Sequence, residues 1–366
     1  MGSVLTGLAA YQASAYQASA YHGSAYHGPR ELTVPLAFST WHLDPWTLAG
    51  VLILGAAYLA GVRVLRRRGE PWAVGRVIAF CGLGLGFAVI ATMSSIGVYT
   101  PVLFYLRAVQ TVLFLLVVPL FLALGRPLTV VIETVPRFGP WLRSAISSRA
   151  ARLALFPAIT TFVLVVMPFF VYFTPWYVAG FHSVLVAQVT HVALTVPGFI
   201  FFWTLLRVDP VPRAYPYVMA LWITAAEVIG DAVLGLAVIA DTNLIGASYY
   251  HALARPWGPD LATSQVLGGG VLWVLGDVVG LPFLAAQLIQ MIREDEADAQ
   301  VIDAELDAKE AAAAVAAGAA ASAAAGTEAG DPDEAAPAAA APSGQRPWWE
   351  TDPRFADRFR PLDEGQ

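Results

Sequence analysis

The amino-acid sequence predicts an all-α polytopic membrane protein with seven transmembrane helices, the N-terminus outside and the C-terminus in the cytoplasm. Three observations support this fold class. The 366-residue chain is 57% hydrophobic and only 13% charged, about half the charge of an ordinary soluble domain. It contains seven long apolar segments. Arginine is concentrated in alternate loops between them.

Each apolar segment is interpreted as a helix, because backbone groups in lipid must satisfy their hydrogen bonds within the segment. A helix needs about 20 residues to cross the hydrocarbon core. The first segment is the shortest, and we expect it to extend into Arg63. The seven segments are 46–62, 73–95, 101–124, 151–173, 181–206, 215–240 and 265–291.

The distribution of arginine predicts the orientation. The loops after segments one, three and five hold five, five and two arginines, whereas the other loops and the N-terminal arm hold only Arg30 and Arg255. Loops rich in arginine stay in the cytoplasm. Trp46, Trp176 and Trp257 then fall near the outer interface, where aromatic anchors are common.

The chain divides into three predicted regions. Residues 1–45 form a low-complexity extracytoplasmic arm with YQASA-type repeats from Tyr11 to Arg30. Residues 46–293 form the seven-helix domain. Residues 294–366 form an acidic, Ala-rich and mostly disordered cytoplasmic tail, although 294–310 can extend the last helix. The aromatic and Arg-rich end, Pro347–Arg360, is either a docking motif or has no defined role.

Charged residues inside the apolar segments are candidates for a functional site. Arg107, Glu227, Asp231 and Asp277 all lie there, and burying one charge costs at least about 2.5–3.5 kcal/mol on insertion scales. Glu227 and Asp231 are four residues apart and share a helix face. Two interpretations stay open. The group is either a buried ion-pair cluster that fixes helix packing or the lining of a polar site for an ion, a proton or a ligand. The sequence does not show which carboxylate meets Arg107.

Histidines and one methionine are candidate copper ligands, because imidazole and thioether groups bind copper. His42 lies in the outer arm, His182 starts segment five, His191 lies in its middle, and His251 lies between segments six and seven. Met93 ends segment two. We expect His182 and His191 to point to opposite sides of one helix, since nine residues make two and a half turns. A single histidine in a bundle is more often a packing residue than a ligand.

Four stretches resemble the CtaG-type cytochrome c oxidase assembly factors of bacteria. They are WHLDPW at Trp41–Trp46, the run Tyr99–Pro127, FFWTLLRVDPVP at Phe201–Pro212, and YYHALARPWGPDLATSQVLGGGVLW at Tyr249–Trp273. The resemblance covers about residues 41–300. It implies a seven-helix membrane protein associated with delivery of copper to the oxidase.

This chain departs from the family pattern in the third helix. The family usually carries His-x-x-Gln-His there, whereas this chain has Arg107 and Thr111 at the histidine positions and keeps Gln110. His191 matches a family histidine in the fifth helix. An arginine at a ligand position disfavours a nearby metal cation, because like charges repel strongly at low dielectric constant.

Two positions in the last helices also differ. Asp231 stands where actinobacterial relatives often have a histidine, and Asp277 replaces a glutamate. The pair before the last helix is Ser264–Gln265 instead of Asp-Gln. The resemblance therefore implies a diverged member of the family that lacks the helix-three histidines.

Our first functional hypothesis is a non-enzymatic cytochrome c oxidase assembly factor in the bacterial plasma membrane. It holds or presents copper, or it binds an oxidase subunit. If copper is bound, the expected ligand is His191, with help from His42, His182, His251 or Met93. The alternative is a small-solute, proton or ion transporter or channel that uses Arg107, Glu227, Asp231 and Asp277. The expected partners are the lipid bilayer and oxidase subunits or other oxidase assembly proteins. No nucleic acid is expected as a partner. The sequence contains no phosphate loop and no His-Glu-x-x-His zinc helix.

Overall fold

The structure is a computed structural model that describes residues 26–207, 209–211 and 217–327. Most of the N-terminal repeats and the end of the tail, Pro347–Arg360, lie outside these residues. The described residues fold entirely into helices and connecting loops. The chain divides into two compact units, Met1–Glu296 and Ala297–Gln366. The first unit contains the apolar helices. In the second, residues 297–320 are helical and exposed throughout.

Six described helices are long and apolar enough to cross a membrane, and a seventh span arises if one bent pair of helices counts as one. The all-helical membrane fold is thus confirmed, with six spans or seven according to that pair. The helices, called spans one to seven below, are Pro45–Arg67, Val74–Tyr99, Phe104–Leu124, Pro157–Phe173, Val184–Leu206, Tyr217–Ala240 and Leu261–Thr327.

The bent pair consists of span four and a short helix, Trp176–His182, which is turned by 68° from it. We call Trp176–His182 the bent helix. A second short helix, Ala247–Leu253, lies between spans six and seven, and we call it the loop helix. The remaining short helices are Val34–Ser39, Pro127–Thr134, Gly139–Ser147 and Arg149–Ala154.

Hydrogen bonds identify the two ends of the bundle. At the first, which we call the Asp44 end, the Gln188 side chain of span five donates to Asp44 before span one, at 2.8 Å. The Phe104 backbone N–H of span three donates there to Ser264 of span seven, at 3.2 Å. At the opposite end, which we call the Asp209 end, the backbone N–H of Thr129 donates to Asp209 at 2.9 Å.

Four predicted boundaries differ from the structure. Span one continues to Arg67, well beyond residue 62. Span four begins at Pro157 instead of 151, because the residue before a proline avoids the helical conformation and proline favours the first helical position. Span five begins at Val184, after Ser183 caps it by accepting from the Val186 N–H. The last helix runs through the acidic stretch and on to Thr327, in keeping with the high helix propensity of alanine and glutamate.

Span three is the centre of the bundle. Two thirds of its apolar stretch (67%) is buried within the protein, against 22% for span one. Spans two and three each contain a π-helical stretch, Ile78–Gly84 and Leu113–Val117. Gly198 of span five packs against the second of these stretches so closely that a β-carbon there would lie 2.0 Å from the Leu115 carbonyl oxygen.

Spans six and seven also approach backbone to backbone. A β-carbon added at Gly235 would lie 2.6 Å from the Gly269 carbonyl oxygen, and one added at Gly269 would lie 2.6 Å from the Gly235 carbonyl oxygen. Small residues permit this kind of close helix packing in membranes. The contact brings the polar side chains of spans six and seven together deeper in the bundle.

Candidate functional site

Arg107 lies one turn into span three from the Asp44 end, and its residue is only 4% exposed. Its Nη1 donates to the side-chain oxygen of Gln110 at 3.1 Å. Gln110 in turn donates through Nε2 to the Ala91 carbonyl oxygen of span two, at 2.8 Å. The Arg107 Nε and Nη2 atoms are buried and have no hydrogen-bond partner. One edge of the guanidinium group is therefore fixed while the other edge is free.

Aromatic rings cover the Arg107 guanidinium group. Its central carbon lies 5.4 Å from the centre of the Phe181 ring and 6.0 Å from that of Tyr177. Both rings belong to the bent helix. A cation over an aromatic face is stabilised by roughly 0.5–2 kcal/mol, which offsets part of the cost of burial. The bend after span four thus places two rings over the arginine.

The loop helix contributes a further ring. The hydroxyl groups of Tyr177 and Tyr250 are 2.8 Å apart, and the Tyr250 ring packs near Phe104 and Phe181. Burial raises the pKa of Tyr250, although the hydrogen bond with Tyr177 and the charge of Arg107 act in the opposite direction. Tyr250 therefore stays a neutral phenol and does not serve as the counter-ion of Arg107.

Thr111 belongs to the same group of side chains. Its hydroxyl group donates to the Arg107 carbonyl oxygen at 2.9 Å and lies 3.1 Å from the Tyr172 hydroxyl group of span four. Arg107, Gln110 and Thr111, the three positions of the family pattern in the third helix, lie together. We call them, with the rings of Tyr177 and Phe181, the arginine site.

Three carboxyl groups form a separate cluster between spans six and seven. Glu227 and Asp231 are buried, and both face span seven, since β-carbons added at Gly280 and Gly276 would approach Glu227 Oε2 and Asp231 Oδ2. Asp277 lies next to Gly276 on span seven. Glu227 Oε1 and Asp277 Oδ1 are buried without a partner. Gly276 makes room for Asp231, because a β-carbon there would lie 2.3 Å from Asp231 Oδ2.

The structure does not bring the arginine and these carboxylates together as an ion pair. The ion pairs it shows among the described residues are Arg126–Asp209 and Arg143–Glu133, and Arg107 is in neither. Arg107 on span three faces the bent helix, whereas the carboxyl groups are held at the interface of spans six and seven. The single polar cluster grouped from the sequence is therefore two groups in space.

The predicted copper ligands are also dispersed. The expectation that His182 and His191 share one helix is wrong, because His182 ends the bent helix and the break at Ser183 precedes span five. His182 lies edge-on to the Tyr249 ring, and His251 lies in the loop helix. His42 and Met93 do meet, but through a 2.8 Å backbone hydrogen bond.

Among the predicted ligands, His191 is the one at a position where the family pattern has a histidine. Its ring stacks on Phe114 with ring centres 4.4 Å apart, and its Nδ1 is buried without a partner. Within the described ranges, no group of three or more His, Cys, Asp or Glu side chains is placed to hold a metal ion. These residues do not fit a copper centre.

Sequence reasoning missed two polar anchors at the bundle ends. Asp44 accepts from the Trp46 N–H at 3.1 Å, from the Thr47 hydroxyl group at 2.7 Å and from Gln188 at 2.8 Å. An acidic residue directly before Pro45 is a helix-start signal that could have identified this anchor. It ties the first turn of span one to span five.

Asp209 is the corresponding anchor at the opposite end. It accepts from the backbone N–H groups of Leu128 and Thr129, at 3.2 and 2.9 Å, and therefore caps the helix Pro127–Thr134. Arg126 Nε lies 3.9 Å from the same carboxyl group. Burial raises the pKa of Asp209, although the hydrogen bonds and the charge of Arg126 act in the opposite direction.

The fold and the buried charged groups define the class of this protein, a multi-pass helical membrane protein with ionisable side chains inside its bundle. The chain belongs to the cytochrome c oxidase caa3 assembly factor family (Caa3_CtaG), whose sequence model matches residues 56–294. The family resemblance recognised in the sequence is thereby confirmed. The match extends from span one into the last helix.

Curated relatives are known only as uncharacterized proteins. Those of Mycobacterium bovis and Mycobacterium tuberculosis are each 29% identical over 298 residues, covering 76% of this chain and 45% of the relative. One of Mycobacterium leprae is 27% identical over 291 residues, covering 76% and 44%. The chain thus spans less than half the length of the curated relatives it matches. No solved structure matches it.

Proposed function

We propose that this protein is a non-enzymatic assembly factor for a cytochrome c oxidase in the bacterial plasma membrane. The observation that carries the proposal is the family match, which runs over the apolar helices from residue 56 to 294. In this proposal the N-terminus lies outside and the C-terminus in the cytoplasm, so that the Asp44 end faces outward. The arginines after spans one, three and five support that orientation.

We further propose that the protein acts by binding an oxidase subunit and not by carrying copper. Arg107 holds a fixed positive charge where the family has a histidine, and a second cation beside it would be repelled. His191 is held in a stack on Phe114. Among the described residues, no group of three or more His, Cys, Asp or Glu side chains is placed to hold a metal ion. Oxidase subunits or other assembly proteins are the proposed partners.

A gene deletion in the host tests this proposal. Membranes of the deletion strain are compared with wild type for haem a absorbance and oxidase activity, with and without added copper. We expect a loss of oxidase that copper does not restore. The wild-type gene and a His191→Ala gene should restore oxidase activity equally, because binding an oxidase subunit does not need an imidazole ligand for copper.

Two outcomes contradict parts of the proposal. Rescue of the deletion strain by copper, together with failure of His191→Ala to complement, would support a copper-delivery role instead. A normal oxidase in the deletion strain would rule out the assembly role. Reporter fusions at the two termini test the orientation separately. Alkaline phosphatase, which is active only outside the cytoplasm, should be active at the N-terminus, and a fluorescent protein, which is fluorescent in the cytoplasm, should be fluorescent at the C-terminus.

Transport is a second candidate function, because intramembrane carboxyl groups often form proton or ion pathways. The specific observation is that Glu227 Oε1 and Asp277 Oδ1 are buried without partners. Polar groups continue along the same interface, where the Thr224 hydroxyl group donates to Gln287 at 3.0 Å. These groups would carry a proton or a small ion between spans six and seven.

Proteoliposomes distinguish this candidate from the first. A transporter should dissipate a proton or sodium gradient, and Asp231→Asn or Asp277→Asn should abolish that flux while oxidase assembly in cells stays intact. Asp241→Asn, in the loop after span six, is the matched control. Absence of flux in wild-type vesicles would exclude transport of the ions tested.

A further inference from the structure

The free edge of Arg107 is a binding element that the proposed function does not use. Arginine is always protonated and cannot lose its charge on burial. Its Nε–H and one Nη2–H point in the same direction and form a two-pronged donor. Both atoms are buried without a partner, whereas Nη1 on the opposite edge is occupied by Gln110. The unoccupied edge is the one that matches a carboxylate in shape.

No acidic residue of the described chain satisfies this edge. Arg107 forms no ion pair within 4.0 Å in the described ranges. Asp44 is engaged with Trp46, Thr47 and Gln188. A buried cation without a counter-ion is costly, and two unsatisfied N–H donors add to that cost. An anion that reached Arg107 would relieve both.

The surroundings restrict what that anion can be. The Phe181 and Tyr177 rings lie over the guanidinium group, at 5.4 and 6.0 Å from its central carbon. Gly180 of the bent helix lies against Nη2, because a β-carbon there would lie 3.3 Å from it. A planar group held by two parallel hydrogen bonds can lie against the flat faces of these rings. A single negative charge balances the single positive charge, whereas a doubly charged phosphate would leave an excess charge at low dielectric constant.

We propose that the arginine site binds the carboxylate of a small organic acid. The two carboxylate oxygens accept from Arg107 Nε and Nη2, and the organic part of the acid packs against the rings of Tyr177 and Phe181. His191 Nδ1 is a further buried atom without a partner. A protein side chain is a poorer occupant, because its backbone would have to enter the covered bundle. This inference goes beyond oxidase assembly and does not depend on it.

Direct binding measurements on the purified full-length protein test the site. Formate, acetate and benzoate are titrated as sodium salts at constant ionic strength, with sodium chloride and sodium sulfate as the competing anions. Heat of binding and the thermal unfolding midpoint are both recorded. We expect saturable binding of at least one carboxylate and a rise in the midpoint that saturates with it. Benzoate should bind most tightly if the rings contribute.

Three variants assign the binding to the Arg107 edge. Arg107→Gln should weaken carboxylate binding by about ten- to a hundredfold, the amount expected for losing charged hydrogen bonds. Arg107→Lys keeps the charge but loses the two-pronged geometry, and should weaken it nearly as much. Gly180→Ala places a methyl group against Nη2 without changing the charge. It tests the same edge of Arg107 if the Arg107 variants do not fold. Arg76→Gln is the matched control, since Arg76 also lies over an aromatic ring, that of Trp72.

The outcomes decide the proposal in either direction. Carboxylate binding that falls in Arg107→Gln, Arg107→Lys and Gly180→Ala but not in Arg76→Gln supports it. If chloride binds as tightly as the carboxylates and Arg107→Lys keeps that binding, the site is one for a monatomic anion and the assignment is overturned. Saturable binding by none of the carboxylates would overturn it as well.

Discussion

The guanidinium group of Arg107 donates to the side-chain oxygen of Gln110, one turn further along span three, at 3.1 Å. Gln110 is itself held by the Ala91 carbonyl oxygen of span two. The Gln110 amide thus connects a buried charge to a neighbouring backbone. This relay fixes the direction of the arginine and leaves its opposite edge available.

Removal of the Gln110 side chain should loosen this arrangement. Gln110→Ala leaves Arg107 Nη1 and the Ala91 carbonyl oxygen without partners, and we expect a loss of about 1–3 kcal/mol of stability. The thermal unfolding midpoint of the purified protein measures it. An unchanged midpoint would mean that water or another side chain replaces the amide.

A carboxylate placed at the same position should have the opposite effect on Arg107. Gln110→Glu supplies the counter-ion that the structure lacks, so we expect its unfolding midpoint to exceed that of Gln110→Ala. An ion pair between Glu at position 110 and Arg107 should also weaken the binding of added carboxylates, which calorimetry measures. Full retention of that binding would argue that the two edges of the guanidinium group act independently.

Two neighbouring glycines in span seven provide a matched test of the helix interface. A β-carbon at Gly269 would lie 2.6 Å from the Gly235 carbonyl oxygen, whereas one at Gly270 would meet nothing within 4 Å. Gly269→Ala should therefore force spans six and seven apart and cost about 1–3 kcal/mol. Gly270→Ala should be neutral or slightly stabilising, since alanine favours the helix. Unfolding midpoints of the two variants, compared side by side, check this; equal midpoints would contradict the close contact.

Asp209 should contribute as a helix cap. Asp209→Ala removes the acceptor of the Leu128 and Thr129 N–H groups, and a lost cap costs about 0.5–2 kcal/mol. Asp209→Asn keeps one acceptor oxygen and should lose less. Glu133→Ala, which breaks an exposed ion pair with Arg143, is the control and should change stability by at most about 1 kcal/mol. Equal losses in Asp209→Ala and Asp209→Asn would indicate that the charge matters more than the cap.

The pH dependence of stability should also report on Asp209. Because burial raises its pKa above the ordinary value of 3.8, the folded protein binds this proton more tightly than the unfolded chain. The resulting stabilisation is fully present below pH 3.8 and is lost as the pH rises through the raised value. Wild type should therefore lose stability relative to Asp209→Asn across that interval. Parallel pH profiles of the two proteins would contradict the shift.

The apolar helices could be predicted from the sequence because the hydrocarbon core imposes a length and a composition on each span. A local signal, Asp44 before Pro45, could also have identified a helix start but was not used. The break at Ser183 was not predicted, since apolar residues continue on both sides of it and hydropathy alone does not register a change of direction. His182 was assigned to the wrong helix for that reason.

The partners of the buried charges could not be predicted. Complementary charge suggested that Arg107 meets a carboxylate, but which faces meet depends on helix rotation and on the 68° bend after span four. The aromatic rings of Tyr177 and Phe181, which look like ordinary interface residues in the sequence, lie over the guanidinium group where a carboxylate partner was expected from the sequence. Glu227 and Asp231 were correctly placed on one face because four residues separate them within one helix.

The π-helical stretches in spans two and three have a consequence for comparing relatives. Each such stretch accommodates an extra residue within a helix, as π-bulges generally do. Deleting one residue from Leu113–Val117 would return that turn to ordinary helix and leave the two flanking parts of the span in nearly the same orientation. Alignments of homologous chains should therefore permit single-residue gaps inside these helices, where gaps are usually penalised. A homologue with such a gap would still present the residue aligned with Arg107 beneath the aromatic cover.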